Sequence, residues 1–333
     1  IAFVSDSVKE VIDLDERLQR QSDLFISNRI AMKNGFLWDY PAFHGVSAVI
    51  WAAYQRDVDI EKIRYCKKEL KKEAEAFGYL EDNASALAAA MLAISDDMTY
   101  TLRCLKKLYK MMLADGFKPS SSLMLTALVM IRLHDEKDFG KLVKKAKRIC
   151  ISLHSVPWHS IVDNDKTQEA HMILERETQE IYQREKRYRR LLKDQFPSQK
   201  VEGYLSDVLI MDHRSEEKNV SHLLGIYSTV KGSSEREYLE QDFEYAVLAV
   251  LALVTKDPAE TMSRVFEVYD YLEASSELKK HVWQKHWLFC YASLIVAMTD
   301  IDRVRYSRYS AEYDGDIFMA ISMLPLLGLA GQR

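Results

Sequence analysis

The sequence ASALAAAMLAISDDMTYTLRCLKKLYKMMLADG, residues 84–116, contains the pattern on which the fold prediction rests. An apolar, alanine-rich segment is followed by a short polar turn with Asp96 and Asp97. A longer lysine-rich segment comes next, and its apolar residues recur every three or four positions. Gly116 stands after the last turn, where a left-handed C-cap glycine is expected. The pattern predicts two antiparallel helices joined by a tight turn.

The same helical hairpin recurs along the chain. When residues 40–79 are shifted by 38 positions, several residues of both helices fall on identical ones, among them Cys66 on Cys104. A shift of 160 positions, four periods of about forty residues, places Ala86 on Ala246. Because a single hairpin cannot bury its own apolar face, neighbouring hairpins are expected to stack and share one core.

The composition supports an all-α protein. Among 333 residues there are only 6 Pro and 11 Gly, whereas a sheet protein needs turn residues every eight to twelve positions. We predict tandem antiparallel helical hairpins stacked as an α-solenoid, with a closed α/α toroid as the alternative. The single domain, 1–333, would comprise a lead-in helix and aromatic segment over 1–39, six to seven hairpins over 40–300, and capping helices over 301–333.

Charge and cysteine content restrict the possible partners and location. The 46 basic and 50 acidic residues give a net charge of −4, which argues against nucleic acid as a partner. The 4 cysteines form no CxxC pair, so we expect free, buried thiols in a reducing compartment, the cytoplasm. Residues 1–7 lack the features of a signal peptide, and no apolar run reaches the roughly eighteen residues that span a bilayer. No membrane association is expected.

Three segments resemble a known family. They are NRIAMKNGFLWDY over residues 28–40, the DGFK ending of the alanine-rich unit over residues 115–118, and the TKDP turn over residues 255–258. In these segments the chain resembles the bacterial helical family known as domain of unknown function 4003. The resemblance implies a bacterial cytoplasmic protein with no established activity, cofactor or partner. It therefore supplies no functional residues to transfer.

Two aromatic clusters are candidate binding sites. Each contains histidine beside tryptophan or tyrosine, and either could line a pocket or simply fill core volume. The candidate binding residues are Trp38, Tyr40 and His44 in the first cluster and Trp283, His286 and Trp287 in the second. A metal site is not predicted, because His281 and His286 are five residues apart and point to different faces of a helix.

The segment around Arg184, Arg187 and Arg190 is the strongest basic feature in the sequence. Basic residues interleaved with tyrosines can hold phosphates or an acidic partner. The acidic residues Glu180 and Glu185 on the same helix balance part of that charge. A solvated helix face is therefore the competing interpretation.

No catalytic residues or cofactor are predicted. The chain has no nucleophile-elbow motif, phosphate-binding loop or dinucleotide fingerprint. We therefore expect a helical-repeat binding scaffold for a protein or peptide partner. The alternative is an α/α-toroid enzyme with an acidic central cleft, which would gather carboxylates at a deep pocket, whereas a scaffold would present aromatic and arginine anchors.

Overall fold

The computed structural model describes residues 14–36, 41–72, 82–119, 121–154, 178–210, 214–233, 238–239, 244–279 and 285–305. The first seven helices are α1 (Glu16–Gly35), α2 (Pro41–Ala53), α3 (Ile60–Lys72), α4 (Asp82–Ile94), α5 (Met98–Ala114), α6 (Ser121–Leu133) and α7 (Phe139–His154). The others are α8 (Thr178–Leu192), α9 (Gln199–Leu209), α10 (Glu216–Gly232), α11 (Tyr245–Val254), α12 (Pro258–Ala274), the short α13 (Ser276–Lys279) and α14 (Lys285–Arg305). These residues include no strand, and the predicted all-α class is confirmed. None of the described helices combines the length and apolarity needed to cross a membrane.

The helices form two layers. Helices α2, α4, α6, α9, α11 and α14 make an inner layer, and α1, α3, α5, α7, α8, α10 and α12 make an outer layer. The inner helices α2, α4, α6 and α11 are almost wholly apolar, and in α11 each residue from Ala246 to Val254 is buried. Outer helices are amphipathic, as α3 shows by burying Ile63, Cys66 and Leu70 and exposing its lysines. A helix that is apolar all round requires cover on all sides, which the two layers provide.

Six of the described outer helices pack against the inner helix that follows them in the chain. The pairs are α1 with α2, α3 with α4, α5 with α6, α8 with α9, α10 with α11, and α12 with α14. Neighbouring inner helices contact one another in the order α9, α11, α14, α2, α4, α6. Helix α1, expected as a lead-in helix, is thus the outer partner of α2.

The first and last hairpins are in contact. Helix α2 packs against α14, and α1 packs against both α12 and α14. The Thr299 hydroxyl donates to Gln21 Oε1 at 2.6 Å, and the Tyr271 hydroxyl donates to Asp23 Oδ1 at 2.5 Å. The described helices therefore follow one another in a ring in which the first and last hairpins meet.

Turns between an inner helix and the next outer helix are built alike. Asp97 Oδ1 accepts from Tyr100 N at 2.9 Å, and Asp257, 160 positions later, accepts from Ala259 N at 2.8 Å. The hydroxyls of Ser95 and Thr101 lie 2.7 Å apart, and at the same shift those of Thr255 and Thr261 lie 2.6 Å apart. Side-chain acceptors at these positions satisfy the first N–H groups of the outer helix.

Arginines hold neighbouring inner helices together at one end. Arg56, after α2, donates from Nη1 to the Ile94 carbonyl at the end of α4 at 3.1 Å. Arg214, after α9, donates from Nη2 to the carbonyls of Ala252 and Leu253 at the end of α11, at 2.8 and 2.7 Å. The last carbonyls of a helix have no donor inside the helix, and a cation there is favourable. We call Arg56 and Arg214 the junction arginines.

Candidate functional site

The contact between the first and last hairpins, where α1, α2 and α14 meet, is the candidate site; we call it the seam. Helices α1 and α14 run antiparallel there, because Gln21 contacts Thr299 while Phe25, one turn later, contacts Tyr291. Arg29, a further turn along α1, therefore lies at the level where α14 begins. Helix α2 starts beside the end of α1, so α2 and α14 both begin at this end of the ring.

Tyr291 is the centre of the seam. Its ring lies 5.2 Å from the Phe25 ring and stacks on Trp287 at 6.0 Å with an interplanar angle of 25°. Its phenol end lies against the backbone of α2 at Gly45, where any added Cβ would overlap it. Glycine at this position therefore allows the close approach of α14 to α2.

Arg29 is a buried guanidinium at the seam. The residue is only 4% exposed, and neither Nε nor Nη1 has a hydrogen-bond partner among the residues that the structure describes. Burial lowers the pKa of Arg29, and the Tyr291 phenol offsets this only in part. Taking an ionised group out of water without an acceptor costs several kcal/mol, of the order of a broken buried ion pair. Such a group in a native protein requires an explanation.

The helix ends around Arg29 add to the positive potential. The first N–H groups of α2 and α14 have no acceptor within their helices, and each helix start carries roughly half a positive charge. The C-terminus of α1 lies at the same end of the ring and offsets the charge of one of these helix starts. The guanidinium and the other helix start repel one another unless a negative group lies between them. The electrostatics of the seam therefore favour an anion.

Two of the six candidate binding residues lie at the seam. His44 immediately precedes Gly45 and is 2% exposed, and Trp287 stacks on Tyr291. The contact of α2 with α14 thus brings one described residue from each of the two aromatic clusters to the seam. Trp38, Tyr40 and Trp283 lie outside the described residues, and His286 lies on α14 with a side chain that the structure does not describe.

Sequence reasoning missed Arg29, Gly45 and Tyr291. A signal for Arg29 was present, because it occupies the same stripe of α1 as Leu18, Phe25 and Met32, all of which are buried. A charged residue within an apolar stripe is unusual and points to a partner or a ligand. Nothing in the local pattern indicated that Tyr291 would pack against Gly45.

The three arginines of the predicted basic patch lie in different surroundings. Arg184 is 9% exposed, pairs with Glu216 across 3.7 Å and donates to the Arg214 carbonyl at 2.9 Å. Arg187 is exposed and also lies 3.7 Å from Glu216. Arg190 is exposed on the outer face of α8. Arg184 therefore contributes to packing, and Arg187 and Arg190 reach the surface.

The cysteines and acidic residues give no metal or nucleophile site in the described part of the chain. All four cysteines are free and buried. Burial raises the pKa of the Cys66 thiol to about 11, and burial together with Glu244 raises that of Cys290. Thiols held in the neutral form are poor nucleophiles and poor ligands. Among the described residues, no three His, Cys, Asp or Glu side chains are grouped so as to hold a metal.

Comparisons with curated proteins and with solved structures find no match to this chain. The model of one protein family, described as protein of unknown function (DUF4003), matches residues 30–323. The matched range covers α2 to α14 and includes two of the three segments that carry the resemblance noted above, together with most of the first. The chain belongs to the DUF4003 family, as its sequence predicted.

Proposed function

We propose that this chain is a binding protein whose site is the seam and whose ligand presents a carboxylate. The observation that supports the proposal is the guanidinium of Arg29, buried without an acceptor for Nε and Nη1 among the described residues. An anion at this point would compensate the buried charge and the remaining helix N-terminus together. The cost of burying Arg29 in the free protein is then a cost of keeping the site ready for ligand.

The surroundings of Arg29 favour an organic carboxylate over a bare inorganic anion. Phe25, Trp287 and Tyr291 place aromatic surface beside the guanidinium, and ligand sites typically combine apolar walls with a few polar anchors. The C-terminus of a peptide has this chemistry, since its carboxylate adjoins a side chain. The proposal therefore keeps the protein or peptide partner that the sequence led us to expect. A small organic carboxylate would offer the same carboxylate and apolar surface.

The enzyme alternative lacks a comparable observation. Hydrolases built as α/α toroids work with a pair of carboxylates about 5–10 Å apart. The groups gathered around Tyr291 are a guanidinium, the imidazole-bearing residue His44 and aromatic rings. This set of described groups can orient an anion and includes no carboxylate pair.

Titration calorimetry with 3-phenylpropanoate and with its amide, 3-phenylpropanamide, tests the proposal. A mixture of short peptides with free C-termini, compared with the same mixture amidated, distinguishes a peptide source from a small molecule. We expect the carboxylate form to bind at least about tenfold more tightly than the amide, because a desolvated charge pair is worth about 2–5 kcal/mol. Arg29→Gln should abolish this preference, and Arg20→Gln, at an exposed position on the same helix, should preserve it.

Equal affinity for acid and amide, or an unchanged preference in Arg29→Gln, would overturn the carboxylate site. If neither probe nor peptide mixture binds at all, the seam is only the joint that closes the ring. Mass spectrometry of the recovered probes covers the enzyme alternative, because a binding protein returns them unchanged and an enzyme does not.

A further inference from the structure

Four outer helices carry many basic residues and few acidic ones. Helices α3, α5, α7 and α8 contain six, four, five and five Lys or Arg residues, which is 20 of the 46 in the chain. The same helices contain only 4 of the 50 acidic residues, and α5 and α7 contain none. The net charge of −4 therefore averages a basic part and an acidic part of the molecule.

These four helices are neighbours in the outer layer. Helix α5 packs against α7, and α7 packs against α8. Helix α3 reaches α5 through the contact of Cys66 Sγ with Met98 Sδ, at the first residue of α5. The outward faces of α3, α5, α7 and α8 thus form one continuous surface, which we call the basic belt.

Part of the basic belt is neutralised locally. In the first half and middle of α5, Arg103 Nη2 lies 3.6 Å and Lys107 Nζ lies 2.7 Å from the carboxylate of Glu136. Lys107 holds the pKa of that carboxyl below its usual range. Further along, several exposed cations form no ion pair with any residue the structure describes. They are Lys110 on α5, Lys141 and Lys144 on α7, and Lys186, Arg190 and Lys193 around α8. Like charges kept together on a surface point to an anionic partner.

Exposed aromatic rings accompany the charge. Among the described residues, Tyr65 on α3 and Tyr100 on α5 are the large hydrophobic side chains that remain exposed, at 51% and 45%. Tyr182, half-buried, lies among the basic residues of α8. Tyrosine rings at the surface of a basic face offer stacking platforms as well as charge.

We infer that the basic belt binds single-stranded nucleic acid. Its cations would neutralise successive phosphates, and its exposed tyrosines would stack on unpaired bases, which a duplex does not present. An acidic protein or an anionic membrane would use the charge alone and leave the tyrosines unexplained. The acidic remainder of the ring would repel a polyanion and confine it to this face. The inference does not depend on the ligand of the seam.

Fluorescence anisotropy with a labelled single-stranded oligouridylate of about 20 nucleotides, at about 50 mM salt, tests the inference on the whole protein. The double variant Lys144→Glu with Arg190→Glu reverses two charges on the belt. Its matched control, Lys200→Glu with Lys218→Glu, makes the same change in charge on α9 and α10. We expect a loss of affinity of more than about tenfold for the belt variant and less than about twofold for the control.

Further binding measurements distinguish single-stranded nucleic acid from other anionic partners. Affinity should fall steeply with salt, and Tyr65→Ala should weaken binding several-fold without changing the salt dependence, because stacking is not electrostatic. Equal losses in the two double variants would show non-specific attraction and contradict the inference. Tighter binding to polyglutamate, or to vesicles containing phosphatidylserine, would assign the belt to an acidic protein or a membrane instead.

Discussion

The junction arginines and the seam arginine make opposite use of the same side chain. Arg214 donates to two carbonyls at the end of α11, and Arg56 donates to a carbonyl at the end of α4. Arg29 is more deeply buried than Arg56, yet its Nε and Nη1 find no acceptor among the described residues. All three lie where neighbouring hairpins meet.

The difference lies in which helix ends surround the guanidinium. Junction arginines face helix C-termini, whose carbonyls attract a cation. Arg29 lies at the end of the ring where two helices, α2 and α14, begin and only α1 ends. A cation at a helix C-terminus stabilises the folded protein. A cation near helix N-termini raises the free energy of the folded protein until an anion binds. A buried arginine therefore indicates a ligand only when its donors and the neighbouring dipoles are both considered.

Arg264, a buried arginine that has partners near the seam, should behave like a structural one. Arg264 on α12 pairs with the buried carboxylate of Asp300 on α14, and it lies 3.5 Å from Asp15, just before α1. We expect Asp300→Ala to lower the free energy of unfolding by about 3–5 kcal/mol, because it leaves Arg264 buried with its main partner removed. Urea unfolding measures this loss. Asp96→Ala, which breaks an exposed pair with Arg56, should lower the free energy of unfolding by less than about 1 kcal/mol. Similar losses in Asp300→Ala and Asp96→Ala would show that the buried pair contributes no more than the exposed pair.

The close approach of α14 to α2 at the seam should depend on Gly45. A methyl group there would overlap the Tyr291 phenol, so we expect Gly45→Ala to lower the unfolding free energy by about 2–3 kcal/mol. Gly203→Ala is the matched control, since nothing lies within 4 Å of a Cβ on that helical residue. It should stabilise the protein by about 0.5–1 kcal/mol. If Gly45→Ala proves as harmless as Gly203→Ala, the seam is looser than described.

The junction arginines should contribute in proportion to their burial. Arg214→Met removes charged donors from the carbonyls of Ala252 and Leu253, and we expect a loss of about 2 kcal/mol in thermal or urea unfolding. Arg56→Met should cost about half as much or less, because the Arg56 side chain is 47% exposed. A stabilising effect of Arg214→Met would erase the contrast with Arg29.

Local features of the fold were predictable from the sequence. Asp257 and Pro258 begin α12 as N-cap and first-turn proline, and Gly116 adopts a φ of 97° after α5, as their residue types predicted. Such features depend on neighbours within one helical turn. Closure of the ring depends on the first and last described helices, which are far apart in the sequence, and no local periodicity encodes their contact. His44 and Trp287 were therefore predicted as parts of two separate clusters.

The functional surfaces were less predictable for a related reason. The charge of each helix can be counted from the sequence, but only the fold shows that the basic α5, α7 and α8 are neighbours. The net charge of the whole chain argued against a nucleic-acid partner. The grouping of basic residues on neighbouring helices weakens that argument. The position of Arg29 on the apolar stripe of α1 could be read from the sequence. The lack of a hydrogen-bond acceptor for its Nε and Nη1 among the described residues could not.

The unfolding free energy of Arg29→Met, without added ligand, tests the central claim most directly. Methionine keeps most of the side-chain volume and removes the buried charge, so a site maintained for a ligand predicts a protein that is more stable by about 1–4 kcal/mol. Arg20→Met, exposed on the same helix, should change stability by less than about 0.5 kcal/mol. A clear loss of stability in Arg29→Met would contradict the account, because it would show that Arg29 holds the ring together as the junction arginines do.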